Sequence, residues 1–561
     1  MSSVLTNKFR IHNAKSFVEG FSEAVPTNIY TAIGKVTPWS ATDTYSGAGS
    51  STSESNPPTP LDHIQNENEV WRNMIAAKKI KTNDVVHSIP RVNWESNKIY
   101  TMYSDTDATL LVNVINSSTP KPFYVLTDEF NVYKCLFNNN EGESTIKPTG
   151  NGSSLIKPTD GYIWKYMYTV SPSDAFRFMT ENFIPIQTLE SDPGSGSSCA
   201  SPNLQWNVQT NAIAGAIDVI ARRIGSSNNG AGSGYVSATG TVSTVALQGS
   251  DTSIIINGTL GVGSSYYNNL TLYYPSKGTA FTITSFTQNS GGNDEIVVSG
   301  DATSGVVAGS EPFQILPTVN ITGDGSGAKA IAVMGSANTL TNANQIDSVK
   351  VLSGGSGYTK ASVTFTNATG VTTTDAVFDV IIPPQGGHGK DAVEELGGFF
   401  VMVNTKLEYD EPAFPTKVLT TQNDYRQISL IRQPKVSASG NADATADLYL
   451  QTQVLTVASS AITNTFLPDE VVTQSSTNAT GIVVDVLTDG NNKLIRIINV
   501  SGTFNTTDSI SSSGTASATS ISSITVPELL SNSGDVMFVE QRSGIVRDQS
   551  QIEDIKIILE F

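Results

Sequence analysis

The sequence predicts a multi-domain, mainly β protein with a few short helices: an α+β platform carrying inserted all-β repeat modules. Two observations point there. All five tryptophans (Trp39, Trp71, Trp94, Trp164, Trp206) fall in the first 206 residues, whereas Gly, Ser, Thr and Asn dominate long stretches beyond them. At 561 residues the chain also exceeds what one hydrophobic core normally supports, so roughly three or four domains are expected.

Along the chain, Ala14, Phe17, Val18 and Phe21 recur at helical spacing and Pro26 closes the segment, which predicts a short amphipathic helix. Asn28 to Gly34 is β-rich and leads to Thr37-Pro38-Trp39-Ser40. The Gly/Ser/Pro stretch from Ser46 to Pro60 is expected to be an exposed loop. A second helix is predicted over about Asn66 to Lys79, with Val70, Trp71, Met74 and Ile75 on one face. Tyr162-Ile163-Trp164-Lys165-Tyr166-Met167-Tyr168 has the length and aromatic content of a core strand. Ser191 to Ser198 contains only Gly, Ser, Pro and Asp and is expected to be a linker.

Repetition follows. Val319-Asn320-Ile321-Thr322 and Val363-Thr364-Phe365-Thr366 lie 44 residues apart, and the same offset relates Ala332-Val333-Met334 to Ala376-Val377-Phe378. Gly232-Ser233-Gly234-Tyr235 and Gly355-Ser356-Gly357-Tyr358 each lie downstream of an Ile-Asp pair, Ile217-Asp218 and Ile346-Asp347. Their glycines are expected to supply positive φ in tight turns, with the tyrosine capping a sheet edge. Phe466, Glu470 and Val472 match Phe504, Asp508 and Ile510 at an offset of 38, which predicts two related β-units.

Composition narrows function. Lys plus Arg total 33 against 51 acidic residues, a net charge of −18, which disfavours nucleic acid and anionic membrane as partners. Met1 to Arg10 has no apolar core of a signal peptide and no later run approaches the ~20 residues of a membrane span, so neither signal nor anchor is expected, and folding in a cytosol is. Cys135 and Cys199 lack metal-ligand spacing and are expected as free thiols.

No catalytic, cofactor-binding or metal site is predicted, and no cofactor. None of His12, His63, His87 and His388 has a second histidine three or four residues on. Gly386-Gly387-His388-Gly389-Lys390-Asp391 has half the look of a phosphate loop but follows two prolines and lacks Ser or Thr after Lys390, so a glycine-rich turn is expected. Gly323-Asp324-Gly325-Ser326-Gly327 sits in a hairpin position. Glu394-Glu395 and Asp410-Glu411 are adjacent carboxylates, expected as solvated charge runs rather than a glycosidase pair.

Several platform segments carry a resemblance. They are Asn7-Lys8-Phe9-Arg10, Ile33-Gly34 leading to Pro38-Trp39-Ser40, Ile89-Pro90-Arg91 with Asn93-Trp94, and Tyr133-Lys134-Cys135-Leu136. Further on come Asp160-Gly161-Tyr162-Ile163-Trp164-Lys165-Tyr166, Tyr425-Arg426-Gln427-Ile428-Ser429-Leu430-Ile431, and Gly534-Asp535-Val536-Met537 through Ile555 to Phe561. In these motifs and their order the chain resembles the baseplate wedge protein family, the gene-eight products, of T-even-type contractile-tailed phages. The resemblance places platform parts at 1–205, 386–445 and 524–561, with inserted β-repeat regions at 206–385 and 446–523. It implies a non-enzymatic virion protein of the tail baseplate, assembled in the host cytoplasm as a late protein. Such a protein pairs as a homodimer, contacts other wedge subunits and helps relay receptor engagement to sheath contraction. The family's shorter members lack the inserts, which leaves contact with the host surface open for them. The alternative reading is a receptor-binding, adhesin-like tail protein whose β-repeats bind host glycan; a glycan hydrolase is a third class.

Overall fold

A computed structural model describes residues 6–41, 43, 52–115, 118–194, 200–289, 291–336, 342–408, 424–438, 442–545 and 551–561. Among the described residues the protein is mainly β, with five α-helices. The chain divides into two compact units: residues up to 11 with 88–399, and residues 12–87 with 400–561.

The second unit is built on a five-stranded antiparallel sheet in the order Leu448–Leu450, Met74–Lys79, Ile29–Gly34, Tyr425–Arg432, Asp535–Ile545. The central strand Ile29–Gly34 is buried at every position, as a run of Ile, Tyr and Ala with few charges requires. Gly34 has no substitute: a Cβ there would lie 2.6 Å from the carbonyl oxygen of Asn73. The expected helix over Asn66 to Lys79 is corrected. It runs from Ile64 to Asn73, capped by His63, and the chain then turns into the strand Met74–Lys79. Met74, Ile75, Ala76 and Ala77 are contiguous and all buried, paired along Ile29–Gly34; four adjacent apolar residues suit a strand covered on both faces better than one stripe of a helix. The first helix likewise starts earlier than expected, at Asn7, and ends at Glu19.

Phe400–Glu408 pairs with Ile552–Glu560. Val401, Val403, Ile555 and Ile557 share a core with Ile29, Ile33, Ile75, Ile428 and Leu430, and the Phe17 ring stands 5.1 Å from that of Phe561. The Ser/Thr-rich stretch folds into an eight-stranded sheet from Gln453–Ala458 to Ser523–Thr525. Its two expected units bury Phe466, Phe504, Val472 and Ile510 in one core, and the strands Val471–Gln474 and Ile510–Ser512 pair directly. The Ser46 to Pro60 stretch is only partly described, and its described end is not a simple exposed loop. Glu54 accepts from the backbone amides of Trp39 (3.0 Å) and Gly544 and from the Arg426 guanidinium (2.8 Å).

In the first unit, Tyr124–Leu126, Asn131–Asn138 and Tyr162–Thr169 form a three-stranded antiparallel sheet, and Trp164 is fully buried. Within residues 214–381 the two repeated sets of segments meet one another. Strands Thr318–Gly323 and Ala361–Thr366, the two repeated segments, pair antiparallel with one another, and Asn320 stands opposite its repeat counterpart Thr364. The Ile217 amide donates to the Gly354 carbonyl (2.9 Å) and the Ile346 amide to the Ala231 carbonyl (3.0 Å). Each Ile-Asp pair is thus tied to the residue just before the other copy's Gly-Ser-Gly-Tyr. Those turns match: φ is 62° and 82° at Gly232 and Gly234, and 62° and 77° at Gly355 and Gly357. The tyrosines do not cap an edge. Tyr235 and Tyr358 are both buried in one core with Ile217, Ile346 and Phe378, where their rings gain more than at a wet rim. The second offset pair is less regular, because Ala332-Val333-Met334 ends a strand whereas Phe378 begins one.

Into one copy alone, between Tyr235 and Thr318, the chain inserts a closed six-stranded barrel over 238–316, filled by Val242, Ile254, Leu272, Phe286, Ile296 and Phe313. At the matching place the other copy has only Thr359 and Lys360.

Candidate functional site

The residues singled out in the sequence separate clearly in space. His12 and His63 are exposed and His87 is buried; the His63 ring accepts the Gln65 amide as a helix cap. Asp324, in its hairpin, accepts the Thr359 hydroxyl and the backbone amides of Thr359 (2.9 Å) and Lys360 (3.1 Å), which hold its carboxyl below the ordinary carboxylate range. Cys199, Asp410 and Glu411 lie outside the described residues, and Cys135 is a buried free thiol. Among the described residues no group of three or more His, Cys, Asp or Glu is placed to hold a metal ion, and no helix is long and apolar enough to cross a membrane.

Glu395 departs from expectation. Glu394 is exposed, but Glu395 is buried at the core of a charged cluster. Asp391 caps the short helix Ala392–Leu396 by accepting the Glu394 amide at 3.0 Å, and Gly397 ends it in the left-handed region. The Thr188 hydroxyl donates to Asp391 at 2.6 Å and fixes this cap. The helix carries Glu395 onto Lys134, in the middle of the strand Asn131–Asn138. The Lys134 ammonium donates to Glu395 Oε2 at 2.8 Å and lies 3.2 Å from His388 Nδ1. Glu395 Oε1 accepts the Gly389 amide at 2.7 Å and the Asp391 amide at 3.3 Å. The Tyr103 ring closes the cluster, 3.9 Å from the ammonium and 5.0 Å from the His388 ring.

The electrostatics follow from this closure. Burial works against the Glu395 anion, but Lys134 and the hydrogen bonds outweigh it and bring the carboxyl down to about 2. Burial, reinforced by the Lys134 charge, lowers His388 to about 4, so the ring is neutral at pH 7 and Nδ1 offers its lone pair to Lys134. Lys134 itself is lowered by burial, against the pull of Glu395. Directly across the sheet stands a second buried lysine, Lys165, which turns instead to the Ser153 carbonyl. The turn Gly386–Gly389 is what brings His388 here: φ is 88°, 96° and 91° at Gly386, Gly387 and Gly389, and a Cβ on Gly387 would meet the Ile213 carbonyl oxygen at 2.4 Å. The glycine-rich turn is therefore a packing device. With the Lys134 ammonium met by Glu395, His388 Nδ1 and the Tyr103 ring, the cluster pins strand, turn and helix together. A lysine inside the otherwise apolar run Val132–Phe137 was the signal in the sequence that could have found it.

The sequence model of the family described as "Bacteriophage T4, Gp8" matches residues 3–139. The baseplate wedge protein gp8 of Enterobacteria phage T4 is 24% identical over 226 residues, covering 34% of this chain. The match spans about 63% of the length of that relative. The resemblance carried by the platform motifs is thus borne out: in its N-terminal part this chain is similar to the phage Gp8 baseplate wedge proteins.

Proposed function

We propose that this chain is a structural subunit of a contractile-tail phage baseplate wedge, taking part in baseplate assembly and in relaying receptor engagement to sheath contraction. The observation that carries the reading is the match of residues 3–139 to the phage Gp8 family. On this reading the chain is not an enzyme; it pairs as a homodimer, binds other wedge subunits and resides in the virion's tail baseplate after assembly in the host cytoplasm. Residues 1–205, 386–445 and 524–561 are then the inherited platform, and 206–385 and 446–523 its additions. Two physical features support a structural role. The charged cluster around Lys134 is closed on itself, and a net charge of −18 argues against nucleic acid or an anionic membrane as partner.

Imaging of the intact particle with this chain tagged tests the location: density for the tag is expected in the baseplate, and density at the capsid or at fibre tips alone would sink the proposal. Analytical ultracentrifugation of the purified full chain tests pairing. A dimer is expected, and a folded monomer at micromolar concentration would remove the homodimer from the reading.

A further inference from the structure

We propose that a cleft around Arg222 binds an extended peptide segment bearing a carboxylate, supplied by a partner protein. The cleft lies wholly in the first unit, has a volume of about 1040 Å³, and is lined by Ile99, Tyr100, Asn140, Arg222, Ala361–Val363 and Phe378–Ile381, among others. Arg222 ends the strand Val219–Arg222 and is 7% exposed. Its Nε is buried and has no hydrogen-bond partner, and no carboxylate among the described residues forms an ion pair with it. The adjacent Arg223 shows the contrast, since it is solvent-exposed and answered by Asp379 at 2.9 Å.

A guanidinium whose Nε is buried without an acceptor is unfavourable, and the group that fits its planar fork is a carboxylate or phosphate taken up from outside. The cleft walls favour a peptide over a small free anion. Ala361–Thr366 is the outermost strand of its four-stranded sheet, and Phe378–Ile381 has a single neighbour in its own. Both line the cleft and lie close to one another, and neither is paired in a sheet on that side, so backbone donors and acceptors of either one can pair with an extended segment. Ile99 and Ile224, 51% and 37% exposed, stand at the same cleft and supply apolar contact for alternate side chains. The chain's overall charge of −18 and the Asp105 and Glu141 carboxylates at the cleft wall repel an acidic ligand, and Asp379 is taken up by Arg223, so recognition depends on the unanswered Arg222. The site does not depend on the baseplate reading.

The test uses the full chain and fluorescein-labelled, end-blocked pentapeptides Thr-Val-Asp-Val-Thr and Thr-Val-Asn-Val-Thr, followed by fluorescence anisotropy, with inorganic phosphate and N-acetylneuraminic acid as competitors. The Asp peptide is expected to bind roughly tenfold or more tighter than the Asn peptide. Arg222→Met should abolish that difference while melting at or above the parent temperature, because it removes an unpaired buried charge; Arg222→Lys should keep part of the preference. Equal binding of the two peptides, or no binding, would overturn the proposal. So would Arg222-dependent binding of phosphate or the sugar acid without the peptide, which marks a small-anion site. An Arg222→Met protein that melts below the parent makes Arg222 a structural cation and also overturns it.

Discussion

Lys134 and Arg222 are both buried in the first unit, yet their surroundings are opposite. Lys134 has a carboxylate at 2.8 Å, a neutral imidazole at 3.2 Å and an aromatic face at 3.9 Å, whereas the Arg222 Nε meets no acceptor. The difference teaches how the two regions are used. Around Lys134 the chain has closed a charge inside itself and gained a fixed junction of strand, turn and helix. Around Arg222 it leaves the guanidinium Nε without an acceptor at the wall of a cleft, where the proposed peptide carboxylate would answer it.

The comparison breaks most visibly at Glu395. Glu395→Gln keeps the shape but leaves Lys134 buried without its anion, so a loss of about 3–5 kcal/mol in denaturant unfolding is expected. The pair Lys134→Met with Glu395→Leu should recover most of it. A loss well under ~1 kcal/mol for Glu395→Gln would place the cluster in the class of ordinary surface pairs.

Acid should open the same cluster. The folded values of His388 and Glu395, about 4 and about 2, both lie below their ordinary values of 6.5 and 4.5. The unfolded chain therefore binds more protons, and stability rises with pH. Stability should be complete above about pH 6.5 and fall by about 3 kcal/mol as pH drops to about 4 through His388. A further loss should follow below about pH 4.5 as Glu395 titrates. His388→Gln should flatten the first part of that curve, and an unchanged slope would remove His388 as its source.

A smaller effect is expected at the turn that delivers His388. Gly387→Ala must hold a φ near 96° and press a Cβ against the Ile213 carbonyl, which should cost about 1–3 kcal/mol in thermal or denaturant unfolding. Smallest of all is Arg223→Ala beside the cleft. Its ion pair with Asp379 is solvent-exposed, so the melting curve should not move measurably, in contrast to Glu395→Gln.

Parts of the molecule were legible from residue pattern alone. The offset of 44 predicted two β-strands, and Thr318–Gly323 and Ala361–Thr366 are strands that pair with one another; the two Gly-Ser-Gly-Tyr segments form turns of matching φ. The Ile29–Gly34 and Tyr162–Thr169 strands also stand where alternation and aromatic content put them. Met74–Lys79 was misread because a short contiguous apolar run fits a helix face and a doubly covered strand equally well, and only its pairing with Ile29–Gly34 decides between them. Glu395 was misread because its neighbour Glu394 made the two look like one charge run, although they point to opposite environments.

The sequence by itself determined the β character, the internal repeats, the positive-φ turns and the likeness of the N-terminal part to a phage tail family. These are local or periodic properties, written in spacing, in glycine placement and in side-chain type. What only the tertiary structure decided were the meetings between distant residues. Lys134 meets a carboxylate 261 positions away, one repeat copy takes up a barrel while the other does not, and the Arg222 Nε is buried without an acceptor. No local pattern encodes such encounters. The free energy of a charge depends on which groups share its low-dielectric surroundings, and those are chosen by the fold as a whole.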